Sequence, residues 1–446
     1  MKHAWRKYLG ATAPRYTSYP SALHFDESVT AQDYAKKISE IGLYEPISLY
    51  VHIPFCRQLC WYCGCNMRVE NFYARAQSYV DALIEEIKMI GRLLNGRAQP
   101  TNVHFGGGTP NYLLCHDLDE ILTSVEREIG LTDSADLAIE LDPRLLRDAD
   151  IDQLAALGFS RFSLGIQDFD PDVQSAINRM QSFELIEACV AAVRASGIED
   201  LSFDILYGLP KQSVASFRDT LEKALSLGPD RISVFGYAHL PKALPRQRMI
   251  DPETLPGDDL RGELAALADR MLIEAGFCRI GFDHYAKAGN SLAKAAREGR
   301  LKRNFQGFTD DASTSLIGLG ASAISFVDGL YAQNDKAIDG YMRRIKDGEL
   351  PVVRGLQWTK REALIADTIG NLLCTMRADV GKVLRVASPH DAVRMCSNLE
   401  KLETDGLIRW QGDVISIAEG AHSMARIVAA AIDPYAQPNS EFARAV

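Results

Sequence analysis

Cys56, Cys60 and Cys63 stand at Cys-x3-Cys-x2-Cys spacing in the run Val51-His-Ile-Pro-Phe-Cys-Arg-Gln-Leu-Cys-Trp-Tyr-Cys-Gly-Cys-Asn66. Three thiolates so placed can hold three irons of a four-iron cluster and leave the fourth iron open. A ferredoxin cluster takes four cysteines and only passes electrons, whereas an open iron can also bind and activate a substrate. A zinc site would want a fourth Cys or His to close a tetrahedron. Inert buried thiols would not crowd four into ten residues beside a glycine. The spacing therefore points to catalysis at a cluster.

Further polar groups follow at apolar strand ends. Gly106-Gly-Gly-Thr-Pro110 offers glycines that let a ligand approach the backbone closely. In Ile139-Glu-Leu-Asp-Pro143 the two-residue period puts Glu140 and Asp142 on one side of the strand end, able to accept bonds from ammonium or ribose groups. Gln167 ends the next such run and Arg179 follows on a helix, where they could bond a ribose and a carboxylate. Asp204 lies inside the apolar run Phe203–Tyr207, a costly burial unless a site requires it. Taken singly, each has an ordinary explanation as a turn, a strand end or a surface charge.

The elements that must position these groups are legible as a βα alternation. Apolar, β-rich runs at Ile47–Ile53, Asn102–Phe105, Asp136–Leu141, Arg161–Ile166, Leu201–Tyr207 and Arg231–Tyr237 alternate with helical patterns. Six such units must cross over right-handed into a parallel sheet. The polar motifs cluster at the strand ends, which suits a partial TIM-type (β/α)6 barrel with its active face at the strand C-termini. Residues 1–46 read as an N-terminal arm, 47–330 as the barrel with an extension, and 331–446 as a mainly helical C-terminal domain. That last region predicts helices at Asp339–Lys346, Thr359–Met376 and His390–Asp405, then a hairpin turning at Gly412-Asp413, the outline of a winged helix.

The cysteine spacing resembles that of the radical S-adenosylmethionine (SAM) superfamily. There SAM chelates the open iron and the reduced cluster cleaves it to a 5′-deoxyadenosyl radical. Within that superfamily, eight segments resemble the oxygen-independent coproporphyrinogen III oxidases: Pro14–Pro20, Leu49–Cys56, Cys63–Asn66, Gly106–Pro110, Gly165–Phe169, Tyr207–Lys211, Tyr237–Pro241 and Arg303–Phe308. The resemblance implies an α/β fold with a partial barrel, an arm and a helical C-terminal domain. It implies a [4Fe-4S] cluster on Cys56, Cys60 and Cys63, with Cys65 close but not ligating, and two SAM molecules. Tyr50, Tyr62, Gly107, Gly108, Thr109, Glu140, Gln167, Arg179, Asp204 and Ala238 resemble SAM contacts, with Gln306 and Ile324 around the second molecule. The implied reaction converts two propionates of coproporphyrinogen III to vinyl groups in haem biosynthesis, on electrons from a donor such as flavodoxin or ferredoxin. Arg15, Lys242, Arg246, Arg248, Lys302 and Arg303 are candidate partners for the propionates. The arm is expected to close over the barrel mouth and help hold the tetrapyrrole.

Composition is consistent with this outline. The 446 residues are 47% hydrophobic and carry a formal charge of -10, which argues against non-specific nucleic-acid binding. Nine cysteines, four of them in one segment, suit a reducing compartment and a metal site better than a disulfide framework. No apolar h-region or membrane span is evident, so a cytoplasmic monomer is expected. Two relatives of the resemblance stay open: a haem chaperone, which binds without decarboxylating, and a radical-SAM methyltransferase or haem-degrading enzyme. The chaperones usually follow the third cysteine with Asp-Phe and lack the Pro-Arg-Tyr-Thr-Ser-Tyr-Pro arm, both unlike this chain.

Overall fold

The computed structural model describes residues 3–436 and 444–446. Its strands are β1 (Glu45–Ile53), β2 (Phe55–Cys56), β3 (Arg68–Val69), β4 (Ala98–Gly107), β5 (Asp136–Leu141), β6 (Phe159–Gln167), β7 (Asp200–Tyr207) and β8 (Arg231–Gly236). They continue with β9 (Phe277–Ile280), β10 (His284–Lys287), β11 (Lys302–Asn304), β12 (Gly307–Thr309), β13 (Ser315–Leu319), β14 (Ile324–Val327), β15 (Leu330–Asn334) and β16 (Val352–Gln357). β17 (Arg377–Asp379), β18 (Ile408–Gln411) and β19 (Val414–Ile417) form the wing.

Twelve strands make one sheet in the order β16-β15-β14-β13-β1-β4-β5-β6-β7-β8-β10-β9. The six predicted strands β1 and β4–β8 are parallel neighbours. A seventh parallel strand, β13, pairs with β1, and antiparallel strands extend both ends. The order is linear, so the barrel stays open on one side.

Strand periodicity explains why this barrel holds a site. On β1, Ile47, Leu49, Val51 and Ile53 are fully buried among the covering helices, including Tyr79, Leu83, Ile87 and Ile90 of the helix Tyr73–Leu94. That helix repeats its apolar residues at three and four positions, as an amphipathic helix must, and ends on left-handed Asn95. The alternate positions carry polar groups: Ser48, Tyr50 and His52, then His104, Glu140, Ser163, Asp204 and Ser233 on successive strands. A closed barrel would fill this face with branched apolar residues. Here it is polar, and it encloses a cavity.

The sheet continues through Gln357, past the boundary expected at residue 330. Beyond it, the helices Lys360–Thr375 and Pro389–Thr404 and the wing gather a second core around Ile369, Leu373, Met395 and Leu399. Thr359 and Glu362 form a capping box that starts the first of these helices. The hairpin turns at Gly412-Asp413 with Gly412 at φ 59, and β17 adds a third strand to it.

The arm is ordered and packs on both cores. It contains a regular helix, Ala31–Ser39, started by a Thr30–Asp33 capping box. Trp5, Leu9, Ala13, Tyr16 and Tyr19 are buried in the second core, with Trp5 Nε1 donating to Asp405 O at 3.1 Å and Tyr16 Oη to Asp433 at 3.1 Å. The start of the arm is thus built into the C-terminal domain's core, whereas Val29, Tyr34, Ile38 and Ile41 of the same arm join the barrel core.

Candidate active site

The cysteine loop leaves β1 and is held at both ends. Arg68 N donates to Pro54 O at 2.7 Å and Glu70 N to Cys56 O at 3.1 Å, which forms the β2–β3 pair. Trp61 N donates to Ile177 O at 3.0 Å. Buried Gln247 donates through Nε2 to Tyr62 O and to Ala238 O, both at 3.0 Å, and Arg246 donates to Cys65 O at 3.0 Å. A loop with no helix or long strand of its own is thereby fixed by hydrogen bonds.

Cys56, Cys60, Cys63 and Tyr62 line one cavity of about 190 Å³ at the C-terminal ends of the strands. Gly107, Gly108, Thr109, Glu140, Gln167, Arg179 and Asp204 share its wall. The strand-end motifs, up to 148 residues apart from Cys56 to Asp204, thus converge on the thiols.

The donor set fits an anionic cluster. Thr109 Oγ1 lies 3.2 Å from Cys56 Sγ. Arg144 and Arg179 direct N–H groups at Cys60 Sγ over 3.6 and 3.7 Å, and Cys65 N donates to Cys63 Sγ at 3.4 Å. Each of the three sulfurs therefore has a donor, and such bonds tune an iron–sulfur centre. Burial pushes the Cys56 thiol up to about 12, whereas hydrogen bonding by Cys65, its side chain first and then its backbone N–H, holds Cys63 down to about 6. A metal would remove that difference by taking both as thiolates. The described cysteines are all free.

The glycine turn is shaped by its neighbours. A Cβ at Gly108 would sit 2.9 Å from Phe55 O and 3.1 Å from Ile53 O, both backbone, and Gly107 adopts φ 117. Gly107 N donates to Glu140 at 3.3 Å, and the other Glu140 oxygen meets His104 Nε2 at 3.2 Å. Glu140 keeps 45% of its side chain exposed to the cavity side, so it retains acceptor capacity. Gln167 is held at φ 66 where the β6–β7 register breaks, a strained conformation for a non-glycine residue.

Asp142 departs from the expected carboxylate pair. It is buried and bound by Arg144 at 2.6 Å and Arg179 at 3.3 Å. Burial would raise its carboxyl, but the two guanidinium groups hold it below its usual range. It therefore positions the arginines and is not free to accept a ligand. Arg179 also donates to Gly165 O at 2.6 Å, and its buried Nε has no partner. Asp204 is raised to about 6, chiefly by burial and then by the Glu140 charge, with Ser163 Oγ at 3.2 Å.

Four of the expected contacts do not line the cysteine cavity itself. Tyr50 stacks on His104 with ring centroids 5.9 Å apart and meets His52 Nδ1 at 3.1 Å, beside Gly106. Ala238 reaches the site only through Gln247. Gln306 lines an adjoining chamber inside the barrel with His104, Glu140, Asp204 and His284, and its Nε2 is buried without a partner. Ile324 begins β14 against the backbone of Gly318 and lines neither chamber. Conversely, Arg144, His52 and Gln247 have structural places at the site that the sequence reading did not assign. Arg144 could have been found only from its position two residues beyond Asp142. Gln247, in a Pro- and Arg-rich loop, carries no local signal.

Residues 50–224 match the model of the radical SAM superfamily. The chain is 40% identical over 430 residues to the oxygen-independent coproporphyrinogen III oxidase of Bradyrhizobium diazoefficiens, covering 96% of each. It is 36% identical to the Escherichia coli protein of the same name, over 95% of this chain and 93% of that one. The chain belongs to the oxygen-independent coproporphyrinogen III oxidase family. The solved structure of the Escherichia coli coproporphyrinogen III oxidase, described as a radical SAM enzyme, superposes with a TM-score of 0.89 over 94% of this chain and 97% of that one. Membership accounts for the partial barrel, the three-cysteine loop and the glycine turn together. It also implies the four-iron cluster and SAM, for which the sulfurs and cavity wall described above are suited.

Proposed function

We propose that this protein decarboxylates two of the four propionates of coproporphyrinogen III to vinyl groups, without oxygen, to give protoporphyrinogen IX. The single observation that carries the reading is the convergence of three donor-bonded thiols, the glycine turn, Glu140, Arg179 and Asp204 on one cavity. When bound, the cluster and SAM supply a primary carbon radical, which can break the unactivated C–H bond beside the carboxylate-bearing carbon where a general base cannot. This chain's residues do the rest. Cys56, Cys60 and Cys63 hold the cluster; Gly107 and Gly108 admit SAM against the backbone; Glu140 and Asp204 accept its ammonium or ribose donors; Arg179 meets its carboxylate. The polar barrel face supplies hydrogen-bonding groups that fix the reacting geometry.

Two SAM molecules are part of this proposal. Support comes from the second chamber, also of about 190 Å³, which shares Glu140, Ser163 and Asp204 with the first and carries unpartnered Gln306. The electron donor is proposed to be a small acidic redox protein such as flavodoxin or ferredoxin, since exposed Arg57, Arg68 and Arg248 flank the cysteine loop. The protein is proposed to work as a cytoplasmic monomer; among the described residues no helix is long and apolar enough to cross a membrane.

The test is anaerobic incubation of the reconstituted protein with SAM, reductant and coproporphyrinogen III. Protoporphyrinogen and 5′-deoxyadenosine are expected together. Unchanged substrate with tight haem binding would overturn the reading in favour of a chaperone.

A further inference from the structure

Several arginines around the barrel pair with a carboxylate. Arg144 and Arg179 share Asp142, Arg231 meets Asp200 at 2.5 Å, and Arg194 meets Asp230 at 2.6 Å. Arg303 and Arg426 break this pattern. Arg303 lies between the rings of Phe282 and Phe308, at 4.8 and 4.6 Å from their centroids, and Arg426 lies 5.8 Å from the same Phe282 ring. Their hydrogen bonds go only to carbonyls: Arg303 to Arg15 O at 3.2 Å, and Arg426 to Ala13 O, Arg444 O and Ala445 O at 2.9–3.5 Å. Nε and Nη1 of Arg303 and Nε of Arg426 have no partner.

The nearby carboxylate, buried Asp283, is hydrogen-bonded by His284 Nδ1 at 2.6 Å and supplies one negative charge facing both guanidinium groups. Arg15 adds a third positive charge close to both guanidinium groups, and burial together with that charge depresses the proton affinity of each. One carboxylate against three guanidinium groups leaves buried positive charge under-compensated, which is costly. The folded chain tolerates it here, in a place that a ligand anion would neutralise.

The surroundings say what kind of anion. Arg303 lines a cavity of about 430 Å³ between the sheet and the helix Lys360–Thr375, walled by Tyr16, Tyr19, Phe305, Phe326 and Trp358. Thr309 is common to this cavity and the inner chamber, and Glu140 and Asp204 are common to that chamber and the cysteine cavity. An aromatic-walled space with the planar Arg303 guanidinium at one side suits a carboxylate carried on a flat apolar ring system.

Resting on the coproporphyrinogen reading, we propose that Arg303, backed by Arg426 and Arg15, anchors a non-reacting propionate of the tetrapyrrole, so that another propionate extends through the inner chamber toward the cysteines. Arg303 is on this view a positioning residue that selects for a carboxylate. Its planar fork can bind both oxygens at once, which an ammonium cannot reproduce.

The probe is coproporphyrin III, the stable oxidised ring with all four propionates, compared with its uncharged tetraamide in equilibrium binding to the reconstituted protein. Wild type should prefer the acid at least tenfold. Arg303→Gln should abolish that preference by weakening the acid alone, Arg303→Lys should keep part of it, and exposed Arg15→Gln, which carries no folding burden, should reduce it severalfold. An acid-to-amide ratio unchanged in both Arg303→Gln and Arg15→Gln overturns the anchor. Turnover of coproporphyrinogen III by wild type, measured alongside, separates the two claims. Turnover with an unchanged ratio in the variants leaves the function standing and removes the anchor, whereas a lost ratio without wild-type turnover keeps the anchor and removes the function.

Discussion

Arg179→Ala is expected to weaken SAM binding while leaving the fold and the iron content intact. The structure explains why these effects separate. Asp142 would lose contacts of 3.3 and 3.5 Å but keep Arg144, which holds it through Nη2 at 2.6 Å and Nε at 2.9 Å. Gly165 O would lose its 2.6 Å donor yet keep Gln181 Nε2 at 3.3 Å. No buried charge is stranded, so the roughly 3–5 kcal/mol cost of breaking a buried pair does not apply. What remains is the loss of a hydrogen bond to a charged group of the cofactor, about 1.5–3 kcal/mol. At about 1.4 kcal/mol per tenfold this is roughly a 10- to 140-fold rise in Kd. Arg179→Lys should fall between, since it keeps the charge and loses the planar fork. The assay is equilibrium SAM binding to anaerobically reconstituted protein, with iron and sulfide measured on the same sample. A wild-type Kd in Arg179→Ala at full iron content would refute the reasoning, and the arginine would then serve only Asp142 and Gly165.

Cys56→Ser, Cys60→Ser and Cys63→Ser should each lose the four-iron absorption, because a thiolate is replaced by a poor, hard donor. Cys65→Ser should retain it, since Cys65 offers Cys63 its backbone N–H, which serine keeps; equal loss in all four variants would contradict this. Gly108→Ala should disturb the glycine turn, because the atoms facing the new Cβ are backbone at 2.9–3.1 Å and cannot rotate away; a destabilisation of about 1–3 kcal/mol is expected, and wild-type melting with wild-type SAM affinity would count against it. Asp204 has a folded-state carboxyl raised to about 6, so the native protein binds the extra proton between about pH 4 and 6 and stability falls as pH rises through that window. Asp204→Asn should therefore stabilise the ligand-free protein at pH 7.5, on the order of 1–3 kcal/mol, with the gain vanishing near pH 4; no gain in denaturant unfolding at pH 7.5 would rule this out.

The parallel strands were legible because burial on a covered sheet leaves a local record. Ile47, Leu49, Val51 and Ile53 alternate with Ser48, Tyr50 and His52, and a period of two is visible in the chain without any partner. The cysteine spacing and the glycine turn were equally legible, since each is a chemical requirement met within a few residues. The C-terminal helices and their hairpin followed from periodicity and from Gly412-Asp413.

Partnership across the fold left no such record. Asp142 reads as a free carboxylate until Arg179, 37 residues later, is seen to bind it. Nothing in the arm's own sequence shows that Trp5 and Tyr16 bond residues of a domain some 400 positions away. β13 could not be assigned to the parallel set because pairing with β1 across 268 residues is a choice among sheet edges, which the strand's own apolar run does not make. The same holds for Arg303, whose sequence shows only a basic residue and whose place in the fold shows Nε and Nη1 without hydrogen-bond partners between two aromatic rings. Local chemistry is set by residue type and spacing. Which charges meet, and which remain unmet, depends on distances that exist only once the chain has folded.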